Sequence, residues 1–179
     1  LASANLARNK FLISGDVVAQ LVGATERQLE QFRSWGYEIW SAGGETADVG
    51  DLVRTVDVGY TFATRMSRSR VIEARFVPGD VIVGLASFGQ TKYETKFNSG
   101  IGCNGITGAR HDLLHGHYRQ HYPEACDPKL DEAVAYRGAY RLGDEVDVPE
   151  ANGRLTVADL LLSPTRSFAP VLLPLLPRR

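Results

Sequence analysis

Two hydrophobic periods follow one another in the first third of the chain, and together they demand a layered fold. Val18, Leu21, Val22, Thr25, Leu29 and Phe32 recur at three- and four-residue spacing, so a helix through them has one buried face. Ser14 is placed as its N-cap, Asp16 complements the dipole in the first turn, and Gly36 stops it. Val56, Val58, Tyr60 and Phe62 then alternate with Asp57, Gly59 and Thr61, the period of a half-buried strand. A striped helix and a one-faced strand each need a covering layer. Further on, Val81 to Ala86 is expected as a continuous apolar strand. Ile106, Ala109, Leu113 and Leu114 give another helix its buried face, and Ala158, Leu160, Leu161 and Leu162 form a short apolar element after Thr156. Strands and helices interleave, which predicts an α/β or α+β layered fold. Between Met66 and Phe76 the chain is rich in Arg and Ser without a sustained period. A domain boundary is placed there, giving 1–67 and 68–179. The stretch from Asp127 to Val148 is charged and fits neither period.

Composition narrows the class. The 20 Lys and Arg residues are balanced by 21 Asp and Glu, a net charge of −1, which lacks the basic surplus of a nucleic-acid surface. Two cysteines, Cys103 and Cys126, cannot build a disulfide scaffold and suit a reducing compartment. The longest apolar run, Phe168 to Leu176, is interrupted by Pro170 and Pro174 and is too short to cross a bilayer. Leu1 to Lys10 carries no continuous apolar segment of the signal-peptide kind. A cytoplasmic protein with neither nucleic acid nor membrane as partner is expected.

The chemistry-bearing stretch is Ser41-Ala42-Gly43-Gly44-Glu45-Thr46-Ala47-Asp48. Tyr37-Glu38-Ile39-Trp40 approaches it like a strand, and Ile39 to Ala42 is expected to deliver Gly43 and Gly44 at a strand end. Paired glycines let a backbone turn sharply and lie close to a ligand, because no Cβ intervenes. A carboxylate after such a turn suits a hard cation shared with phosphates. On local pattern alone the same residues read as a strand-to-strand turn with a solvated Glu45 at its tip.

A second stretch joins it. Pro78-Gly79-Asp80-Val81-Ile82-Val83-Gly84-Leu85-Ala86-Ser87-Phe88-Gly89 is a turn, a buried strand and a glycine-bearing loop. Asn104-Gly105-Ile106-Thr107-Gly108-Ala109-Arg110 then opens a helix, and Leu162-Ser163-Pro164-Thr165-Arg166 follows downstream. In this order, from about Asn5 to about Val171, the chain resembles the aminoimidazole ribonucleotide synthetase family, also called phosphoribosylformylglycinamidine cyclo-ligase. Its superfamily includes selenophosphate synthetase, thiamine-monophosphate kinase and a hydrogenase-maturation dehydratase.

The resemblance implies a two-domain architecture of which this chain holds part of each domain. It implies a homodimer, a nucleotide substrate, and ATP with Mg²⁺ as cofactors. The reaction it implies is phosphorylation of an amide oxygen followed by closure of an imidazole ring. Gly43, Gly44, Thr46, Asn104, Gly105, Thr165 and Arg166 are its implied nucleotide- or substrate-binding residues. Glu45 and Asp48 are the implied metal ligands. Glu45, Thr46 and the Asn104–Gly105 helix start are expected to face one cleft. The chain is expected to belong to a longer protein, with the apolar strip Val171–Leu176 lacking its partner.

Departures from the family are concentrated in one loop. Gln90 to Ile101 is an insertion, and the family's histidine and serine fall on Gly102 and Cys103. Gly50-Asp51 stands where the family has Pro-Gly. Within the superfamily, phosphorylation of a different oxygen is the alternative; a nucleotide-binding module without turnover is another. Asn104 reads as a phosphate contact or as a helix cap. Arg166 reads as a bidentate phosphate ligand or as an ion pair fixing the helix that follows. Cys103 reads as a small apolar residue rather than a nucleophile. His111 and His115, and His117 and His121, have zinc-compatible spacing, but no acid or cysteine completes a set, and they read as a solvated helical face.

Overall fold

The computed structural model describes residues 1–175. It is a mixed α/β structure with small sheets, divided into two compact units. One unit is Leu1–Arg75 with the tail from Ala169; the other is Phe76–Phe168. The division falls at Arg75/Phe76 rather than at 67/68, and the tail returns to the first unit.

The first unit is built on β1 (Ala2–Arg8), α1 (Gly15–Ser34), β2 (Ser41–Asp48) and β3 (Val56–Phe62). The sheet order is β2-β1-β3, with β1 parallel to β2 and antiparallel to β3. Parallel neighbours need a long crossover, and α1 supplies it. The expected helix face is the one that packs: Leu29 is buried with Leu6 and Ala2 of β1, and Val18, Leu21, Thr25 and Phe32 are half-buried. Val22 stays exposed. Ser14 occupies the N-cap but makes no side-chain cap bond. At the other end Gly36 has φ +92°. Its N–H donates to Arg33 O at 2.9 Å, and the N–H of Tyr37 donates to Phe32 O at 3.1 Å, the paired bonds of a Schellman stop.

Two expectations for this unit change. Tyr37 to Trp40 is not a strand, and pairing starts at Ser41. Gly43 and Gly44 therefore lie inside β2, not at the end of a strand. Ala2 faces Ser41 and Ala4 faces Gly44, so β2 carries one extra residue there, and Gly43 adopts φ +82°. That is a bulge, which kinks one strand while letting pairing continue. Gly44 is needed because a Cβ at this position would collide with the carbonyl oxygen of Ala4.

The second unit contains β4 (Phe88–Gly89) paired with β5 (Asn98–Ser99), then α2 (Gly102–Leu113) and α3 (His117–His121). The antiparallel pair β6 (Glu145–Val148) and β7 (Gly153–Thr156) and then α4 (Val157–Leu161) complete it. Its core is Leu114, Cys126, Ala135, Tyr136, Val157 and Leu161, with Ile101, Ala109 and Leu113 packed against them. Thr156 caps α4 in a reciprocal box with Asp159, which explains why so short an apolar run forms a helix. The ambiguous charged stretch has a defined task. Arg137 N–H, Gly138 N–H and Tyr140 N–H donate to the carbonyls of His111, Leu114 and Leu113, satisfying the end of α2 that would otherwise be orphaned.

Val81 to Ala86 is not a strand. Ile82 is 99% exposed, and Val81 and Val83 are nearly as open. A strand requires a ladder partner, and among the described residues none runs beside this segment. The preceding turn does form: Asp80 N–H donates to Val77 O at 3.1 Å, with Gly79 at φ +100°.

The tail forms α5 (Ala169–Leu172) and a short 3₁₀ turn, Leu173–Leu175. Tyr37 Oη donates to Ala169 O at 2.8 Å. Leu172 and Leu175 are exposed; Leu176 of the predicted strip lies outside the described residues.

Gly44→Ala is expected to lower the unfolding free energy by about 1–3 kcal/mol, the usual range for overpacking. Urea denaturation of the variant beside Gly43→Ala would check the mechanism. The Gly43 site has open space but a positive φ, so its loss should come from backbone strain alone.

Candidate functional site

The predicted site residues fall into two groups, one in each unit. In the first unit, β2 and α1 enclose a cavity of about 320 Å³. Gly43 to Thr46 form one wall, Val22, Thr25 and Glu26 the other, over Ala4 and Leu6. Thr25 Oγ1 donates to Leu21 O at 2.9 Å, so the Tyr60 phenol, 3.0 Å away, donates to it. The structure thus brings Gly43, Gly44, Glu45 and Thr46 to one concave surface.

The two acids do not converge. Strand side chains alternate, and the register pairs Thr46 with Leu6, Asp48 with Arg8, and Glu45 with Asn5. Asp48 and Thr46 therefore share the side of Leu6, which faces α1, while the Glu45 side chain leaves from the other, so Glu45 borders the cavity without sharing the face of Asp48. Glu45 is exposed, and its Oε1 accepts the N–H of Thr46 at 3.1 Å. Asp48 is held by Lys10, whose Nζ lies 3.2 Å from one carboxylate oxygen and whose N–H donates to the other at 3.1 Å. Desolvation opposes ionisation of Asp48, but the Lys10 bonds and the Lys10 and Arg8 charges together outweigh it and hold its carboxyl below the ordinary carboxylate value. Glu45 and Asp48 do not fit one shared magnesium ion. Among the described residues no group of three or more His, Cys, Asp or Glu is placed to hold a metal.

In the second unit the downstream motif meets the helix start. Thr165 Oγ1 accepts the backbone N–H of Cys103 at 2.9 Å. Ile101, at the N-cap of α2, has helical dihedrals and gives no side-chain cap, so Thr165 takes over from 62 residues away. Asn104 is consequently not the cap. It lies in the first turn, exposed, and its Oδ1 accepts from the Cys103 thiol at 3.4 Å. Gly105 is exposed beside it. Gly102 has φ +62°, a conformation that residues other than glycine adopt uncommonly.

Arg166 is corrected as a phosphate ligand. Its Nε and Nη2 donate to the two carboxylate oxygens of Glu94 at 2.9 and 2.8 Å. Nη2 also donates to Gly89 O at 2.6 Å, and Nη1 to Ala86 O at 2.6 Å and Phe88 O at 3.3 Å. All five guanidinium N–H groups are used. The ion pair is the correct alternative, but it fixes the upstream loop rather than a following helix.

Glu94, Asn98 and Ser99, all in the insertion, were missed by sequence reasoning. Asn98 Nδ2 donates to Pro164 O at 2.9 Å, and Ser99 Oγ donates to Leu160 O at 2.7 Å. Ser163 Oγ accepts the N–H of Ser99 at 3.2 Å. The only signal was a lone acid and two small polar residues among glycines, which specifies no partner.

Cys126 is buried in the core and Cys103 is exposed. His111 does not lie on a solvated face: it is half-buried, with its ring 4.7 Å from that of Tyr136, whereas His115 is exposed and lies past the end of α2. A second cavity, of about 370 Å³, lies between Arg110, Tyr118, Tyr122 and Leu161. Among the described residues no helix is long and apolar enough to cross a membrane. Compared with protein-family models and with curated proteins, the chain matches none.

Burial opposes ionisation of Glu94, but hydrogen bonds from Arg166 and Thr91 and the Arg166 charge hold its carboxyl below the ordinary 4.5. A depressed acid contributes stability that is full above the ordinary value and is lost as pH falls through the lowered one. Stability should therefore decline below about pH 4.5. Glu94→Gln should cost about 3 kcal/mol at pH 7, as when one partner of a buried pair is removed, and should remove this part of the acid dependence. Denaturation curves at several pH values would show whether it does.

Proposed function

We propose that this chain belongs to an ATP-dependent enzyme of the aminoimidazole ribonucleotide synthetase type. In this reading the enzyme has the family's two-domain architecture and works as a cytoplasmic homodimer. It phosphorylates the amide oxygen of formylglycinamidine ribonucleotide and then closes the imidazole ring. Phosphorylation turns a poor leaving group into phosphate, and the substrate's own nitrogen displaces it. Such chemistry asks the protein mainly for positioning and for donors to the phosphates.

The observation that carries the reading is the 2.9 Å bond from Cys103 N–H to Thr165 Oγ1. It joins two motifs that the resemblance pairs functionally and that lie far apart in sequence. Thr165 keeps its own hydroxyl proton to donate, next to the exposed Asn104 amide and the first-turn N–H groups of α2. An anionic oxygen is favoured there by the helix dipole. The cavity walled by Gly43 to Thr46, with the Thr25 and Thr46 hydroxyls, suits a nucleotide's polar edge in the first unit. Arg166 acts by anchoring Thr165, not by touching phosphate. The reading takes no step through a metal held by Glu45 and Asp48.

The test is phosphate release by the full-length protein with ATP and formylglycinamidine ribonucleotide. Turnover dependent on both substrates is expected. Thr165→Val should lower kcat/KM by about 10²-fold, the scale of losing one donor to a developing oxyanion, and Thr165→Ser should restore most of it. ATP binding without turnover would favour a non-catalytic nucleotide module. Turnover with a different acceptor would favour another superfamily member.

A further inference from the structure

All four histidines of the chain lie between His111 and His121. Two have their Nδ1 atoms engaged as acceptors. His111 Nδ1 accepts the N–H of Tyr136 at 3.3 Å, and His115 Nδ1 accepts the N–H of His117 at 3.0 Å.

His117 and His121 differ. They stand one turn apart on α3, with ring centroids 3.9 Å apart and planes tilted by 35°. His121 Nδ1 lies 2.9 Å from the carbonyl oxygen of His117. A carbonyl only accepts, so Nδ1 carries the proton and the lone pair sits on Nε2. Metal-binding imidazoles have this arrangement, with the outer N–H tied to a carbonyl so that tautomer and ring are fixed.

We propose that His117 and His121 form a two-imidazole site for a divalent transition-metal ion of the Cu²⁺, Ni²⁺ or Zn²⁺ class. Imidazole suits these ions, and residues four apart on a helix meet on one face. Two imidazole nitrogens each about 2.0–2.1 Å from one ion lie no more than about 4.2 Å apart; the two rings overlap at 3.9 Å between centroids, and side-chain rotation brings their nitrogens onto one ion. The protein supplies two ligands and leaves the remaining positions to water or to a donor from another molecule. No third His, Cys, Asp or Glu completes the set among the described residues. The positive charge of Arg141 is felt at His117 and opposes a cation. Both facts favour the ion with the strongest intrinsic nitrogen affinity, so Cu²⁺ should lead, in the order set by metal chemistry.

The experiment uses the full chain with Cys103→Ser, which removes a competing exposed thiol. Copper, nickel and zinc chlorides are titrated in turn, followed by calorimetry and, for copper, by visible absorption. One ion per chain is expected, bound most tightly for Cu²⁺. His117→Asn and His121→Asn should each weaken it by about tenfold or more, while His115→Asn should leave it unchanged. Histidine ¹⁵N spectra of the chain with native histidines, taken with and without Zn²⁺, give a readout that needs no histidine variant. The His117 and His121 ring nitrogens should shift together. Absence of saturable binding, an equal loss in His115→Asn, or unshifted His117 and His121 resonances would overturn the site.

Discussion

The guanidinium of Arg166 is the point on which the second unit depends. A buried arginine is tolerable only when every donor has an acceptor and its charge has a counter-charge. Here Glu94 supplies the charge and three backbone carbonyls take the remaining donors. The side chain of Arg166 is 3% exposed and that of Glu94 17%. Moving either one leaves a desolvated ion, so the loop at Ala86–Gly89 and the turn at Glu94 are fixed together. Lysine would not serve, because its point charge lacks the planar fork that reaches two carboxylate oxygens and several carbonyls at once.

From that anchor the rest of the motif takes its place. Pro164 accepts from Asn98, Ser163 receives Ser99, and Thr165 reaches the start of α2. The α2 N-terminus is thereby capped by a residue remote in sequence, and its own Asn104 is left exposed to solvent. A helix end whose cap comes from elsewhere keeps its first-turn side chains available. That availability, more than the identity of any one residue, makes this end of α2 a candidate for binding.

In the first unit the governing constraint is the close approach of β1 and β2 at Ala4 and Gly44. The glycine-rich run is therefore explained by the sheet before any ligand is considered. Gly44 makes room for a neighbouring strand, and Gly43 takes the positive φ of the bulge. The cavity beside it follows from the mismatch between a glycine-lined strand and the open Val22 position of α1.

What the sequence determined by itself were the features set by local periods and caps. The face of α1, its stop at Gly36, the strand at β3 and the short element after Thr156 all follow from spacing and terminal residues, which act within a few positions; of the expected β3 face only Val56 and Val58 are half-buried, and Tyr60 and Phe62 stay exposed. What only the tertiary structure decided were the features set by partners. Val81 to Ala86 has a strand's composition, yet among the described residues no strand runs beside it, and Val81 to Val83 stand exposed. Gly43 and Gly44 read as a strand end but pair through a bulge. Glu45 and Asp48 are near in sequence and part across the sheet, because side chains alternate. Arg166 was equally fit for a phosphate or a carboxylate until Glu94, seventy-two residues earlier, was found to fill it. A side chain's type fixes what it can bind; only the folded chain fixes what reaches it first.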